Sequence, residues 1–377
     1  VFEMLRDPEV VAVGSTPATP DEVLTEGEWS TFGFTDLGVT FTESMADPAG
    51  DTEPGDVTNP ANWRLVEAGA NGTFQTVSCA GGVNWDDVAL SPDLFTYDDA
   101  TRTVSFRTAS GAAMVSGRYM LFACGTLESA AGLALDGNGD GTAGDDFSMA
   151  FGIDDEPPTT PSNLQTPTHG SPSQATVIET SWTASVDRLT GLAGYAWAFS
   201  TGDTWVCDQV IDGTDTSTAS AALDDGAWWF HICAGDVMDN WGAVSSLGPM
   251  VIDTTPPVVT AVGSEGGTAD GVLTAGEALL AAVTQVMVWF SEPVFNPAGD
   301  VTPGDLTNPD SYRIVDLGPD GVLSTPDCSG SVAGDDVDIV VFSVVAWSGD
   351  EVASVVVAPL RGLSLGRYAL LVCTLED

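Results

Sequence analysis

Residues 47–69 read "DPAGDTEPGDVTNPANWRLVEAG" and residues 296–318 read "NPAGDVTPGDLTNPDSYRIVDLG". The two stretches start 249 positions apart, and the same offset relates Pro8 to Pro257, Gly14 to Gly263, Gly27 to Gly276, Arg64 to Arg313, Cys79 to Cys328, Tyr119 to Tyr368 and Cys124 to Cys373. One offset shared by so many unlike residue types marks a duplicated unit. Residues 8–124 and 257–373 are therefore two copies of one domain, aligned without a gap. In each copy the two Cys stand 45 residues apart (124 minus 79, 373 minus 328). Pairing Cys79 with Cys124 and Cys328 with Cys373 is the simplest arrangement, and it leaves Cys207 and Cys233 for each other. One bridge per domain implies an oxidising, extracellular setting; the alternative is six reduced core thiols.

Two proline-rich junctions separate the copies, "DDEPPTTPSNLQTPTHGSPS" from Asp154 and "IDTTPPVV" from Ile252. Such junctions are short and stiff, and they bound a middle domain. In all three units the apolar pattern has period two. "LGVTFTES", "QVMVWFSE", "VDIVVFSVV", "ASVVVAP", "GRYALLVC" and "ATVIETSWTA" read as short strands between Gly, Pro, Asp and Asn turns, and no long helix is predicted. The expected fold is all-β: three tandem β-sandwiches in an elongated array, covering residues 8–153, 154–255 and 256–377, with residues 1–7 as an orphan strand.

The chain has 377 residues, 43% of them hydrophobic, enough for several folded domains. Its charge is lopsided: 55 Asp and Glu face 9 basic residues, all Arg, for a net charge of -46. Without Lys there is no phosphate-loop or Schiff-base lysine, and such a charge repels nucleic acid, leaving divalent cations as natural partners. No apolar run is long enough for a membrane span. Val1 opens no secretory signal, so the chain reads as processed or as cut from something longer.

The outer copies resemble bacterial Ig-like domains of S-layer and large surface proteins. The resemblance is carried by "VTFTES" or "VWFSEP", the Asp-rich loop that follows, "VTNPANWRLV" or "LTNPDSYRIV", "GPDGVLSTPD" in the second copy, and "SGRYMLFACGTL" or "LGRYALLVCTL". In such domains "LDGNGDGTAGDDF" is similar to the usual loop before the last strand. The middle unit resembles a fibronectin type III or Ig-like module through "SWTASVDRLTGLAGYAWAFS", "LDDGAWWFHICAGDVMDNWGAV" and "GPMVIDTTPP". These resemblances imply an architecture and a bacterial or archaeal cell surface. They imply no particular activity, since such modules serve as spacers, adhesins and enzyme appendages.

Chemistry concentrates in "LDGNGDGTAGDDF", residues 135–147. Asp136, Asn138 and Asp140 fall at positions 1, 3 and 5 of an EF-hand-like loop, Gly141 at the turn and the Thr142 carbonyl at position 7. Phe147 occupies position 12, so the closing carboxylate is expected from Asp145 or Asp146. This predicts a structural calcium loop in a β context. Weaker calcium candidates are Asp320, Asp327, Asp335 and Asp336, whose counterparts in the first copy are Asn71, Ser78, Asp86 and Asp87. At the junctions Asp154, Asp155 and Glu156 are candidates together with Asp187, and Asp236 or Asp239 together with Asp253, as cation clamps between domains, although turn caps are the favoured explanation of these. Asp51, Asp56, Asp300 and Asp305 recur in both copies as further weak calcium candidates, and solvated turns explain them at least equally well.

No enzyme is expected. His169 lies in a linker, His231 alternates with apolar neighbours in "AWWFHICAGD", and no base is available for a Ser or Cys nucleophile. Of Trp228 and Trp229, period two exposes at most one. Asn71 begins the sequon Asn71-Gly72-Thr73, and the Thr/Pro stretches suit O-linked sugars, so attached glycans are expected. The second copy ends before a counterpart of the calcium loop and last strand, while residues 1–7 resemble a last strand. Donation of that strand to the next subunit would build a head-to-tail filament of identical chains. The expected function is thus an extracellular, calcium-stiffened fibre or cell-surface filament; the alternative is a noncatalytic adhesion, carbohydrate-binding or spacer region of a larger surface protein or secreted hydrolase.

Overall fold

The computed structural model describes residues 6–108, 111–167, 172–264, 271–279, 281–294, 305–346, 354–373 and 375. Residues 1–5 of the expected orphan strand, His169 and Asp300 lie outside them. The chain is all-β and divides into two compact units, Val1–Ile252 and Asp253–Asp377. Helical structure among the described residues is limited to two short 3-10 turns.

The first part of unit 1 contains β1 (Val10–Thr16), β2 (Glu28–Ser30), β3 (Asp36–Phe41), β4 (Trp63–Glu67), β5 (Val88–Leu90), β6 (Asp93–Asp98), β7 (Thr103–Arg107), β8 (Gly117–Ala123) and β9 (Phe147–Ile153). They form one sheet in the order β1-β3-β7-β6 and a second in the order β2-β9-β8-β4-β5, antiparallel except for the β2–β9 pair. Alternation sends Leu37, Val39 and Phe41 of β3 and Val104 and Phe106 of β7 inward from one sheet. Leu65 of β4, Leu121 of β8 and Phe151 of β9 meet them from the other. One core thus lies between two layers, and Trp63 bridges them, its ring 5.3 Å from Phe106 and 6.4 Å from Phe41.

The rest of unit 1 has β10 (Ser162–Gln165), β11 (Glu179–Thr183), β12 (Leu192–Ser200), β13 (Ser217–Ala219), β14 (Gly226–Asp236) and β15 (Ser245–Ile252). Two three-stranded sheets, β10-β11-β13 and β12-β14-β15, enclose Trp182, Tyr195, Phe230, Ile232 and Met250. His231 is fully buried: its Nδ1 lies 2.8 Å from Ser246 Oγ, and its Nε2 lies 3.0 Å from Ser200 Oγ and 3.1 Å from the Gly202 carbonyl. Trp228 and Trp229 are both half-buried, because a bulge between Trp228 and Phe230 interrupts the alternation.

Unit 2 contains β16 (Val259–Ser264), β17 (Val286–Phe290), β18 (Tyr312–Asp316), β19 (Val337–Ile339), β20 (Val341–Ala346), β21 (Ser354–Pro359) and β22 (Tyr368–Val372), in sheets β16-β17-β21-β20 and β19-β18-β22. The duplication is visible in detail. Asn59 caps one 3-10 turn by accepting the Ala61 amide at 3.0 Å, and Asn308 caps the other through Asp310 at 3.0 Å. The next residue is an aromatic donor in each copy. Trp63 Nε1 reaches the Val57 carbonyl at 2.9 Å, and the Tyr312 hydroxyl reaches Leu306 at 2.8 Å.

The offset is not gapless, however. Leu37 pairs with Phe106, whereas Val286 pairs with Val357, so β21 follows β7 at an offset of 251 (357 minus 106). A two-residue slip keeps Val355 and Val357 on the core face; a slip of one would have turned them to solvent.

All three disulfides join the expected partners: Cys79–Cys124, Cys207–Cys233 and Cys328–Cys373. The first closes a separation of 45 residues, a constraint on the unfolded chain of about 4 kcal/mol. Replacing both Cys79 and Cys124 by Ser should lower stability by about that amount. Leu121→Ala, at a fully buried position, should cost about 2–5 kcal/mol, against less than about 0.5 kcal/mol for exposed Val11→Ala. Chemical denaturation of the full chain reads all three.

Candidate metal centres

The 136–146 loop folds as a series of amide-to-carboxylate turns. Asp136 is buried at its start. Its Oδ1 accepts the Gly139 and Asp140 amides at 2.8 and 3.1 Å, and its Oδ2 accepts Gly141 at 2.8 Å. Asn138 accepts the Asp140 amide, Asp140 accepts Thr142, and Asp145 accepts Gly137, at 2.8, 2.8 and 2.7 Å. Gly137 is required here: a Cβ would stand 2.2 Å from the returning backbone at Asp146. The result is a group of three carboxylates, Asp136, Asp140 and Asp145, with oxygens all within 4.8 Å of one another. An all-oxygen set of this kind suits a hard divalent cation. Hydrogen bonds from the Thr142 side chain and from Asn138 hold the Asp140 carboxyl below its usual range.

Asp146 belongs to a different task. Its Oδ2 accepts the Cys79 amide at 2.6 Å and its Oδ1 the Gly125 amide at 2.8 Å, which ties the loop to both sides of the Cys79–Cys124 bridge. Of the two residues expected to close the loop, the structure brings only Asp145 to the cluster.

A second group forms at the first proline junction, where Asp154, Asp187 and Asp236 bring carboxylate oxygens within 4.8 Å of one another. Asp154 follows β9, Asp236 ends β14, and both are buried. Two residues not anticipated from the sequence support them. Thr190 donates its hydroxyl to Asp154 Oδ2 at 2.6 Å, and Asn240 Nδ2 lies between the Asp154 carbonyl at 2.9 Å and Asp236 Oδ2 at 2.8 Å. Asp187 accepts the Leu189 and Gly191 amides at 3.0 and 2.7 Å. The pattern "DVMDN" at residues 236–240 is the only sequence signal that pointed to Asn240.

The other candidates do not join these groups. Asp155 and Ser116 bond each other, Asp239 accepts the Trp241 indole N–H at 2.7 Å, and Asp253 accepts the Thr255 amide at 3.2 Å. Glu156 is exposed and donates its amide to Asp154. Asp327 caps Ser329, whose hydroxyl and amide hold its carboxyl below the usual range. Asp335 accepts the Asp320 amide at 3.2 Å; in the first copy Asp86 accepts both the amide and the side-chain Nδ2 of exposed Asn71. Burial pushes the Asp336 carboxyl up, but hydrogen bonds from Thr325 and Ser324 outweigh it and leave it lowered.

Cationic side chains are scarce throughout. Two ion pairs are formed among the described residues, Arg107–Asp93 and Arg313–Asp338, and neither touches a carboxylate group of three. Compared with known proteins, the chain matches no family model and shows no significant similarity to a curated protein.

If the Asp154 group holds calcium, Asp187→Asn should shrink the rise in melting temperature that calcium produces. In chelator the variant should melt no lower than the parent, since one of three crowded charges is gone. Saturation at a hundredfold above Kd corresponds to about 2.7 kcal/mol. Equal destabilisation with and without calcium, by calorimetry, would count against a cation.

The pH dependence of the loop follows from Asp140. Its carboxyl is lowered in the folded chain, so its contribution is present above the unfolded value of about 4 and disappears as pH falls through the folded one. Calcium titrations should therefore show affinity nearly flat from pH 7 to about 5 and falling below about 4.

Proposed function

We propose that the protein is an extracellular structural element: a string of small Ig-like and fibronectin III-like β-sandwiches, stiffened by calcium and built into a filament or cell-surface fibre. The observation that carries this reading is the convergence of Asp154, Asp187 and Asp236. Asp154 leaves the last strand of one two-sheet core, while Asp187 and Asp236 belong to the next, so a cation shared by all three would fix the angle between them. Three disulfides fit a secreted or extracellular protein, and no helix among the described residues is long and apolar enough to cross a membrane.

Assembly by strand addition has its own support. In unit 1 the strand β8 is flanked by β4 and β9; its counterpart β22 pairs with β18 on one side, and no described strand covers the other. All five residues of β22 are half-exposed, whereas most of β8 is buried. A strand added at this edge, from another copy of the chain or from a continuation of the same array, would pair its backbone and cover Leu370 and Val372. Between separate copies such a contact is heterologous and propagates head to tail. Nothing catalytic is part of this reading, since His231 is enclosed by Ser200, Gly202 and Ser246.

Electron microscopy of the purified chain should show thin fibres in calcium that come apart into beads or flexible strings after chelation. Rods that never associate would remove the assembly step and favour an adhesion or spacer segment. Fibres indifferent to chelator would remove calcium from the reading.

A further inference from the structure

The Asp-rich loop at residues 47–58, which a solvated turn explains at the level of sequence, is not solvated at its base. Asp56 is 0% exposed. Its Oδ1 accepts the Thr58 amide at 2.9 Å, while its Oδ2 is buried without any hydrogen-bond partner. The buried Thr58 hydroxyl stands 2.8 Å from Asp56 Oδ1, 3.1 Å from Asp47 Oδ1 and 3.1 Å from Asp51 Oδ1. A hydroxyl carries one proton and satisfies one of these carboxylates. The other two are left facing an oxygen at close range, with none of the described ion pairs among them.

Three carboxylate oxygens, each about 3 Å from the Thr58 hydroxyl oxygen, stand from it as neighbouring ligands stand from one another around an ion bound at about 2.3–2.6 Å. The cradle is rigid before any ion arrives. Asn59 Nδ2 holds the Glu53 carbonyl at 2.9 Å, and Asn62 Nδ2 holds the Pro54 and Asp56 carbonyls at 2.9 and 2.8 Å. Its floor, Asp56 and Thr58, is buried and its rim, Asp47 and Asp51, is exposed, which leaves a path from solvent.

The second copy repeats the anomaly. Asp305 is 0% exposed, its Oδ1 accepts the Thr307 amide at 2.8 Å, and its Oδ2 is again buried and unpartnered. Two orphan carboxylate oxygens at equivalent positions point to a recurring ligand. We propose that Asp47, Asp51, Asp56 and Thr58 form a divalent-cation site, with calcium as the fitting ion. Magnesium fits less well, since it demands a tight octahedron and keeps most of its water, whereas this cradle offers an irregular set of protein oxygens.

The site shares no residue with the 136–146 loop or the Asp154 group, so it stands or falls separately from them. Native mass spectrometry of the full chain with added calcium counts the ions directly. Asp47→Asn combined with Asp51→Asn alters only exposed side chains and should remove one bound calcium per chain while leaving the circular dichroism unchanged. The same loss is expected for Asp56→Asn. Asp136→Asn with Asp140→Asn, made in the other loop, should leave this calcium in place, so that adding the rim pair to that background removes one more. A folded rim variant that binds as many calcium ions as the parent, in either background, overturns the proposal.

Discussion

Removing a carboxylate from water without a counter-charge costs several kcal/mol unless the protein supplies hydrogen bonds or a cation. This chain nevertheless buries Asp56, Asp87, Asp136, Asp154, Asp236, Asp305 and Asp336. With nine Arg and no Lys, ion pairing cannot be the general solution. Backbone amides are the first answer: Asp136 collects three of them, and Asp87 takes Gln75 and Thr76. Where amides run out, carboxylates are left facing one another or facing nothing, and those are the places where the proposed divalent cations would complete the arrangement.

This solution suits thin domains. Each two-sheet core is small, and stability is shared among burial, one disulfide per core and the polar loops that link the layers. Asp146 shows the coupling, since one side chain ties the 136–146 loop to both flanks of the Cys79–Cys124 bridge. Loop order and core order then rise and fall together, and a cation bound at the loop adds to the stability of the whole domain rather than to the loop alone.

The two copies show which features tolerate change. Trp63 and Tyr312 differ in shape yet deliver a donor to the same carbonyl position, and Asn62 becomes Ser311, which still bonds the carbonyl of the buried Asp. The backbone amide of Asn71 donates to Asp86 as that of Asp320 donates to Asp335, but the second bond, from Asn71 Nδ2, is one that an ionised Asp side chain cannot make. The buried Asp with one unpartnered oxygen is unchanged at both of its positions in each copy.

The all-β character, the duplication and the disulfide partners were legible in the sequence, because period-two alternation and a constant residue spacing are local or translational signals. The Asp136–Asp140–Asp145 group was nearly so, since alternating oxygen ligands in a glycine-rich loop are set by positions close together in the chain. Other features had no such signature. Asp145 and Asp146 are adjacent and alike, and only the position of the Cys79 and Gly125 amides separates their roles. Asp154, Asp187 and Asp236 are far apart in the chain and meet because β9, β14 and the junction between the two cores converge. Asp56 looks like any turn aspartate until the fold closes over it. Burial and the meeting of distant carboxylates are properties of the packed chain, and the desolvation energy that makes them consequential exists only once tertiary structure has removed the water.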